Sequence, residues 1–212
     1  MELFVATRNR SKVRELEALL RDTELVLVSY RDIKDLPEVP EHGKTFRENA
    51  VAKATVLAEH TGLLTIADDS GLVVDALEGR PGVLSARYAG PQATDRENNE
   101  KLLAELQGVP EGKRTARFRC AIALATPEKL VAVVEGTCEG RIALEERGTE
   151  GFGYDPLFVK DGYTKTFAEL PLDLKNRVSH RGLALEKALM VIENYLMTRH
   201  DVPRKPPSEG RR

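Results

Sequence analysis

Apolar and polar positions in this chain follow two alternating periods, and the switches between them predict its elements. A short apolar run at 3–6 reads as a strand, and Val13, Leu16, Leu19 and Leu20 fall on one face of a helix over 11–21. A second strand follows at 25–28, then a loop carrying Pro37, Pro40 and several acids. Thr45 and Glu48 have the spacing of a helix cap and open a helix that runs to about His60. Strands at 63–67 and 71–77 are expected to bracket an acidic turn, and Thr94 with Glu97 caps a third helix.

Later, strand-like runs at 115–125 and 130–138 meet at the turn Thr126-Pro127-Glu128-Lys129 and read as a hairpin. An amphipathic helix over 179–199 closes the pattern. Residues 1–199 are expected to form one domain, with 200–212, which carry three prolines, a disordered tail. Strand and helix alternate early and a hairpin comes late, so the fold class is α/β with a mixed sheet flanked by helices.

The 212 residues suffice for a sizeable core. A net charge of −2 provides no global positive field for nucleic acid, and no apolar run approaches the length of a membrane span. The chain opens into a strand without a basic leader, which points to a cytoplasmic protein. Cys120 and Cys138 are expected to be reduced, since simple hairpin register sets Cys120 opposite Glu135 and Cys138 opposite Arg117. His42, His60, His180 and His200 lack zinc-ligand spacing.

The chemistry concentrates at Ala67-Asp68-Asp69-Ser70-Gly71, where two carboxylates and a hydroxyl follow an apolar strand. Carboxylates there can hold Mg²⁺ and activate water; a merely solvated turn is the alternative. Thr7, Arg8, Asn9, Arg10, Ser11 and Lys12 lead from a strand into a helix and combine short donors with cations, a phosphate grip unless Asn9 or Ser11 only caps the helix. Gly43-Lys44-Thr45 is not a P-loop, because Glu38 stands where the pattern needs glycine. Lys53 flanks the buried stripe of its helix and can aim into a cleft. Phe152 and Tyr154, set among Gly151, Gly153 and Asp155, suit either base stacking or core packing. Lys175, His180 and Arg181 are donors near the closing helix.

The ordered motifs Thr7-x-Asn9-x-x-Lys12, Thr45-Phe46-x-Glu48-Asn49-Ala50-x-x-Lys53-Ala54, Ala67-Asp68-Asp69-Ser70-Gly71-Leu72, Pro81-Gly82-Val83-x-Ser85-Ala86-Arg87-Tyr88, Gly151-Phe152-Gly153-Tyr154-Asp155-Pro156 and Ser179-His180-Arg181 closely resemble the inosine triphosphate pyrophosphatase family. The resemblance runs over about 1–197. It implies a strongly twisted sheet with two lobes around a deep substrate cleft, a homodimer, and Mg²⁺-dependent hydrolysis of ITP, dITP and XTP to the monophosphate and pyrophosphate. It implies Asp69 as proton acceptor and metal ligand, Glu41 as the other metal ligand, and Thr7 to Lys12 as the polyphosphate grip. Lys53, Ser70 and Lys175 become substrate contacts, with Asp68 and Lys53 counted beside Asp69 in the catalytic set. Phe152, Gly153, Tyr154 and Asp155 become the wall for base and sugar, and His180 with Arg181 the readers of the purine 6-oxo edge. Neighbours on an extended chain point opposite ways, so Asp68 and Asp69 are not expected to share one role. A pyrophosphatase of different base preference and a nucleotide-binding regulator without turnover are the alternatives.

Overall fold

The computed structural model describes residues 1–21 and 23–200, without the side chains of residues 19, 199 and 200; of the expected tail at 200–212, residue 200 ends the last helix and 201–212 lie outside the described residues, as does the side chain of Leu19. Six strands, β1 (Glu2–Val5), β2 (Val26–Val28), β3 (Leu64–Val74), β4 (Thr115–Thr126), β5 (Lys129–Ile142) and β6 (Phe158–Lys160), form one sheet in the order β2-β1-β3-β4-β5-β6. β1 pairs in parallel with β2 and β3, whereas β3 through β6 pair antiparallel, so the sheet is mixed as the pattern implied. Around it lie α1 (Arg10–Leu20), α2 (Phe46–Thr61), α3 (Asp95–Glu105), α4 (Leu172–Val178) and α5 (His180–His200).

Strand side chains alternate between faces, and here the two faces meet different helices. Phe4, Ala6, Ala67, Ala121, Ala123 and Ala125 pack under α2, whose own contacts are Ala50, Ala54, Leu57 and Ala58. Alanine on both sides lets the helix lie close to the sheet. Leu3, Val5, Leu64, Ile66, Cys120, Ile122 and Leu124 face the opposite way, onto Leu16 and Leu20 of α1 and Ala184, Leu185, Ala188 and Ile192 of α5. Burying one large side chain such as Leu57 or Leu3 stabilises the fold by about 1.5–3 kcal/mol.

Three expectations are corrected. The acidic segment is no turn: Asp68, Asp69 and Ser70 sit inside one continuous strand, paired with Ile122, Ala121 and Cys120 of β4. Gly71 serves close packing rather than a bend, since a β-carbon there would drive into Ser85 Oγ and lie 2.6 Å from the Gly82 carbonyl oxygen. The hairpin register is shifted by one residue, because an irregularity at Leu124/Ala125 sets Cys120 opposite Gly136 and Cys138 opposite Phe118. Both thiols are free and buried. The short elements β6 and α4 were not expected, and β5 runs four residues further than its pattern, to Ile142.

Candidate active site

Period two on β3 sorts the acidic segment. Asp69 shares a face with Ala67 and meets α2, where Asn49 Nδ2 donates to its Oδ2 at 2.8 Å; its Oδ1 accepts from the Ser70 amide at 3.0 Å. Asn49 is itself fixed, its Oδ1 accepting from the Gly43 amide at 2.7 Å. Asp68 and Ser70 face α5. Asp68 Oδ2 lies 2.8 Å from Lys12 Nζ and 3.2 Å from Arg181 Nε, while Arg181 Nη2 donates to Ser70 Oγ at 2.8 Å.

One cavity of about 320 Å³ collects most of the expected residues: Thr7, Arg8, Asn9, Lys12, Glu41, Lys53, Asp69, Ser70, Phe152 through Asp155, Lys175, His180 and Arg181. Arg10, Ser11 and Asp68 do not line it. Asp68 borders a small void behind the strand with Leu16, Ile122 and Arg181. The N-terminus of α1 is also less open to an anion than its sequence implied. Asn9 Oδ1 accepts from the Ser11 and Lys12 amides at 2.9 and 3.2 Å, which leaves the cation of Lys12 and the short donors before the helix.

Lys53 is buried on α2, and its ammonium donates to Glu41 Oε1 at 2.7 Å and the Asp68 carbonyl at 2.6 Å. Burial alone would lower its pKa, yet the charges of Asp68, Asp69 and Glu41 outweigh that and raise it, so it stays a cation. Burial pushes the Asp69 carboxyl up; Lys53 opposes this, and the nearby Glu41 charge adds to it. Glu41 itself, despite burial, is held below its usual value by Lys53, Lys12 and Arg87, so two hard oxygen donors face the cleft, and a divalent cation between them would favour the ionised form of Asp69.

The other wall is a buried ionic network. Lys175 Nζ donates to Asp155 Oδ2 at 2.6 Å and to Glu15 Oε1 at 2.8 Å. Arg181 Nη1 pairs with Glu15 Oε2. Phe152 lies beneath both cations, with Lys175 Nζ 4.9 Å and the Arg181 guanidinium carbon 5.5 Å from its ring centre. Its amide donates to Asp155 Oδ2 at 2.8 Å. Tyr154 lines the cavity and also belongs to the core, its hydroxyl donating to the Ser85 carbonyl at 2.8 Å. His180 stacks on Phe118 at 4.6 Å, and burial followed by the charge of Arg181 holds its pKa well below the usual histidine value. Its imidazole is neutral, and Nδ1 has no hydrogen-bond partner among the described residues. Ser179 is the cap of α5, with Oγ accepting from the Gly182 amide at 3.1 Å.

Residue patterns alone gave no role to Glu15, Asn49, Arg87 or Asp95. Glu15 lies three residues after Lys12, on the same side of α1, and Asn49 precedes Lys53 by one turn on the buried face of α2; polar residues at such inward positions were the available signal. Arg87 Nη2 donates to the Glu41 carbonyl at 3.1 Å and lines a second cavity, which shares Thr7, Arg8, Glu41 and Lys53 with the first. Asp95 Oδ2 accepts from the Gly153 amide at 2.7 Å and ties α3 to the Phe152 loop.

The Ham1 family model matches residues 3–191. A dITP/XTP pyrophosphatase of Desulforamulus reducens is 52% identical over 192 residues, 91% of this chain and 96% of the relative. One from Geobacter sulfurreducens is 56% identical over 183 residues, 86% and 92% of the two chains. Among solved structures, a HAM1 protein from Coxiella burnetii superposes with a TM-score of 0.83 at 43% identity, covering 92% of this chain and 99% of that one. A nucleoside-triphosphatase / dITP/XTP pyrophosphatase from Mycobacterium abscessus gives 0.72 at 46% identity over 91% and 100%.

Proposed function

This chain belongs to the Ham1 family, and from that membership we propose that it hydrolyses the non-standard purine nucleoside triphosphates dITP, ITP and XTP to the monophosphate and pyrophosphate. The observation that carries the reading is a single cleft that joins a carboxylate pair and phosphate-suited cations to an aromatic ring flanked by hydrogen-bond donors. The names of relatives half identical over most of both chains support it.

Asp69 and Glu41 suit Mg²⁺, a hard cation that binds one or two carboxylates, substrate phosphate oxygens and waters. When bound, it would neutralise phosphate charge and acidify water. Asp69, its ionisation opposed by burial, accepts the proton of the water that attacks the α-phosphorus. Asn49 holds that carboxylate in place. Lys12, Lys53 and Arg8 meet the charge that develops on the departing pyrophosphate, while Thr7 and Asn9 orient the chain of phosphates. Asp68 acts through Lys12 and Arg181 rather than on the substrate.

The base lies against Phe152, where neutral His180 and the free N–H groups of Arg181 donate to a 6-oxo oxygen. Adenine offers an amino group there and leaves those donors unpaired, which costs about 1–3 kcal/mol per group. The same reading makes the protein a cytoplasmic homodimer without nucleic-acid or membrane partners. A net charge of −2 agrees with it, and no helix of the described residues is long and apolar enough to cross a membrane. Light scattering on the purified protein tests the dimer. Incubation with Mg²⁺ and ITP, XTP, dITP, GTP or ATP, followed by identification of the inorganic product, tests the activity: pyrophosphate from the first three supports it, and orthophosphate with accumulating diphosphate contradicts it.

A further inference from the structure

We propose that Glu15 decides which way round the triphosphate enters the cleft, by cancelling the charge of the base-reading wall so that only the wall carrying Lys12 and Lys53 accepts phosphate. The inference rests on the reading of this cleft as a nucleoside triphosphate site.

The cavity is lined by five cations, Arg8, Lys12, Lys53, Lys175 and Arg181, and a polyphosphate is attracted to all of them. Their counter-charges differ. Lys175 and Arg181 have two carboxylates of their own, Glu15 and Asp155, and share a third, Asp68, with Lys12, whose ammonium lies nearer to it; apart from Lys12, at 15%, every side chain in the set is at most 5% exposed. Glu15 is the carboxylate common to both cations, and each of its oxygens serves one of them. The remaining bond of Arg181 goes to the neutral hydroxyl of Ser70. On the phosphate side the cations are less fully matched. Arg8 lies over the Tyr30 ring at 4.8 Å rather than on a carboxylate, and the partner of Lys53, Glu41, is one-third exposed.

Both halves of this polarity come from one helix. Lys12 and Glu15 are three residues apart on α1, so the turn that presents a cation to phosphate also presents an anion to the base wall. Arg181 and then Lys175 hold the Glu15 carboxyl below its usual pKa despite burial, so it is ionised at neutral pH. A neutralised wall that keeps its N–H donors suits an uncharged purine edge and gives a phosphate no net gain. A simple structural strut would require the same contacts, but it would not alter where an anion binds.

Glu15→Gln preserves size and an acceptor oxygen while removing the charge. With that variant, inorganic pyrophosphate should inhibit ITP turnover about tenfold more strongly, the scale of one charge-assisted hydrogen bond. Reversed, unproductive binding should make kcat and KM for ITP fall together, with kcat/KM held within about twofold. Glu15→Asp, which keeps the charge, should return pyrophosphate inhibition to the wild-type level. A Glu15→Gln protein with unchanged or weaker pyrophosphate inhibition, or one whose kcat/KM alone collapses, overturns the proposal. Calorimetric titration of the wild-type protein with inorganic pyrophosphate supplies a test that needs no variant: one pyrophosphate per chain is expected, and a second that competes with inosine overturns it. If the wild-type protein leaves ITP intact, it is the assigned activity that fails instead.

Discussion

Asp68 and Asp69 are adjacent in the chain yet belong to opposite faces of β3, Asp68 bound by Lys12 and Arg181 on the side of α5 and Asp69 by Asn49 on the side of α2. The two carboxylates should therefore fail in different ways. Asp69→Asn should lower kcat by about 10²–10⁴-fold with little change in the unfolding midpoint, the scale of a lost general base. Asp68→Asn should instead destabilise the protein by about 3–5 kcal/mol, because it leaves buried cations without their partner. Thermal melts and ITP kinetics on the same preparations check both; equal losses of activity at unchanged stability would refute the division.

The folded-state pKa of Glu15 lies below its unfolded value near 4.5, burial being outweighed by Arg181 and Lys175. Its contribution to stability is complete above the unfolded pKa and is lost as pH falls through the folded one. The gap in unfolding free energy between wild type and Glu15→Gln should consequently be widest near pH 7 and narrow below pH 4.5. Denaturant melts across that range measure it.

His180 is shifted in the same direction, but there burial favours the uncharged form. Its pKa sits well below 6.5, so the ring stays neutral as the solution is acidified from neutrality. The ratio of kcat/KM for ITP to that for ATP should be flat from pH 8 down to about 6. A step in that ratio near 6.5 would mean that the imidazole titrates and that the reading of a neutral donor is mistaken.

Gly136 on β5 lies under the first turn of α5, where a β-carbon would collide with the His180 carbonyl oxygen and approach Ala184 N to 2.7 Å. Gly136→Ala should lift His180 and Arg181 off the sheet, with an overpacking cost of about 1–3 kcal/mol. The preference for ITP over ATP should narrow while pyrophosphate inhibition stays unchanged, and steady-state kinetics with both nucleotides tests this.

The sequence revealed the mixed sheet, the main helices and most of the cleft, because these rest on local signals: apolar periodicity, Thr94 with Glu97 at a cap, and small residues beside acids. Signals failed where a residue's role depends on distant partners. Asp68-Asp69-Ser70-Gly71 has turn chemistry, but a ladder with β4 from Thr65 to Val74 overrides it. Glu15 looks like any polar residue of an amphipathic helix until Lys175 and Arg181, over 150 residues away, come to rest against it. The hairpin register missed by one because an irregularity at Leu124/Ala125 has no mark in composition.

The central claim is attack by water at the α-phosphorus within the Asp69 cleft. Single-turnover hydrolysis of ITP in ¹⁸O-labelled water, with both products analysed by mass spectrometry, tests it most directly. The account requires one ¹⁸O in the nucleoside monophosphate and none in the pyrophosphate. Label in the pyrophosphate, or labelled orthophosphate beside IDP, would contradict it.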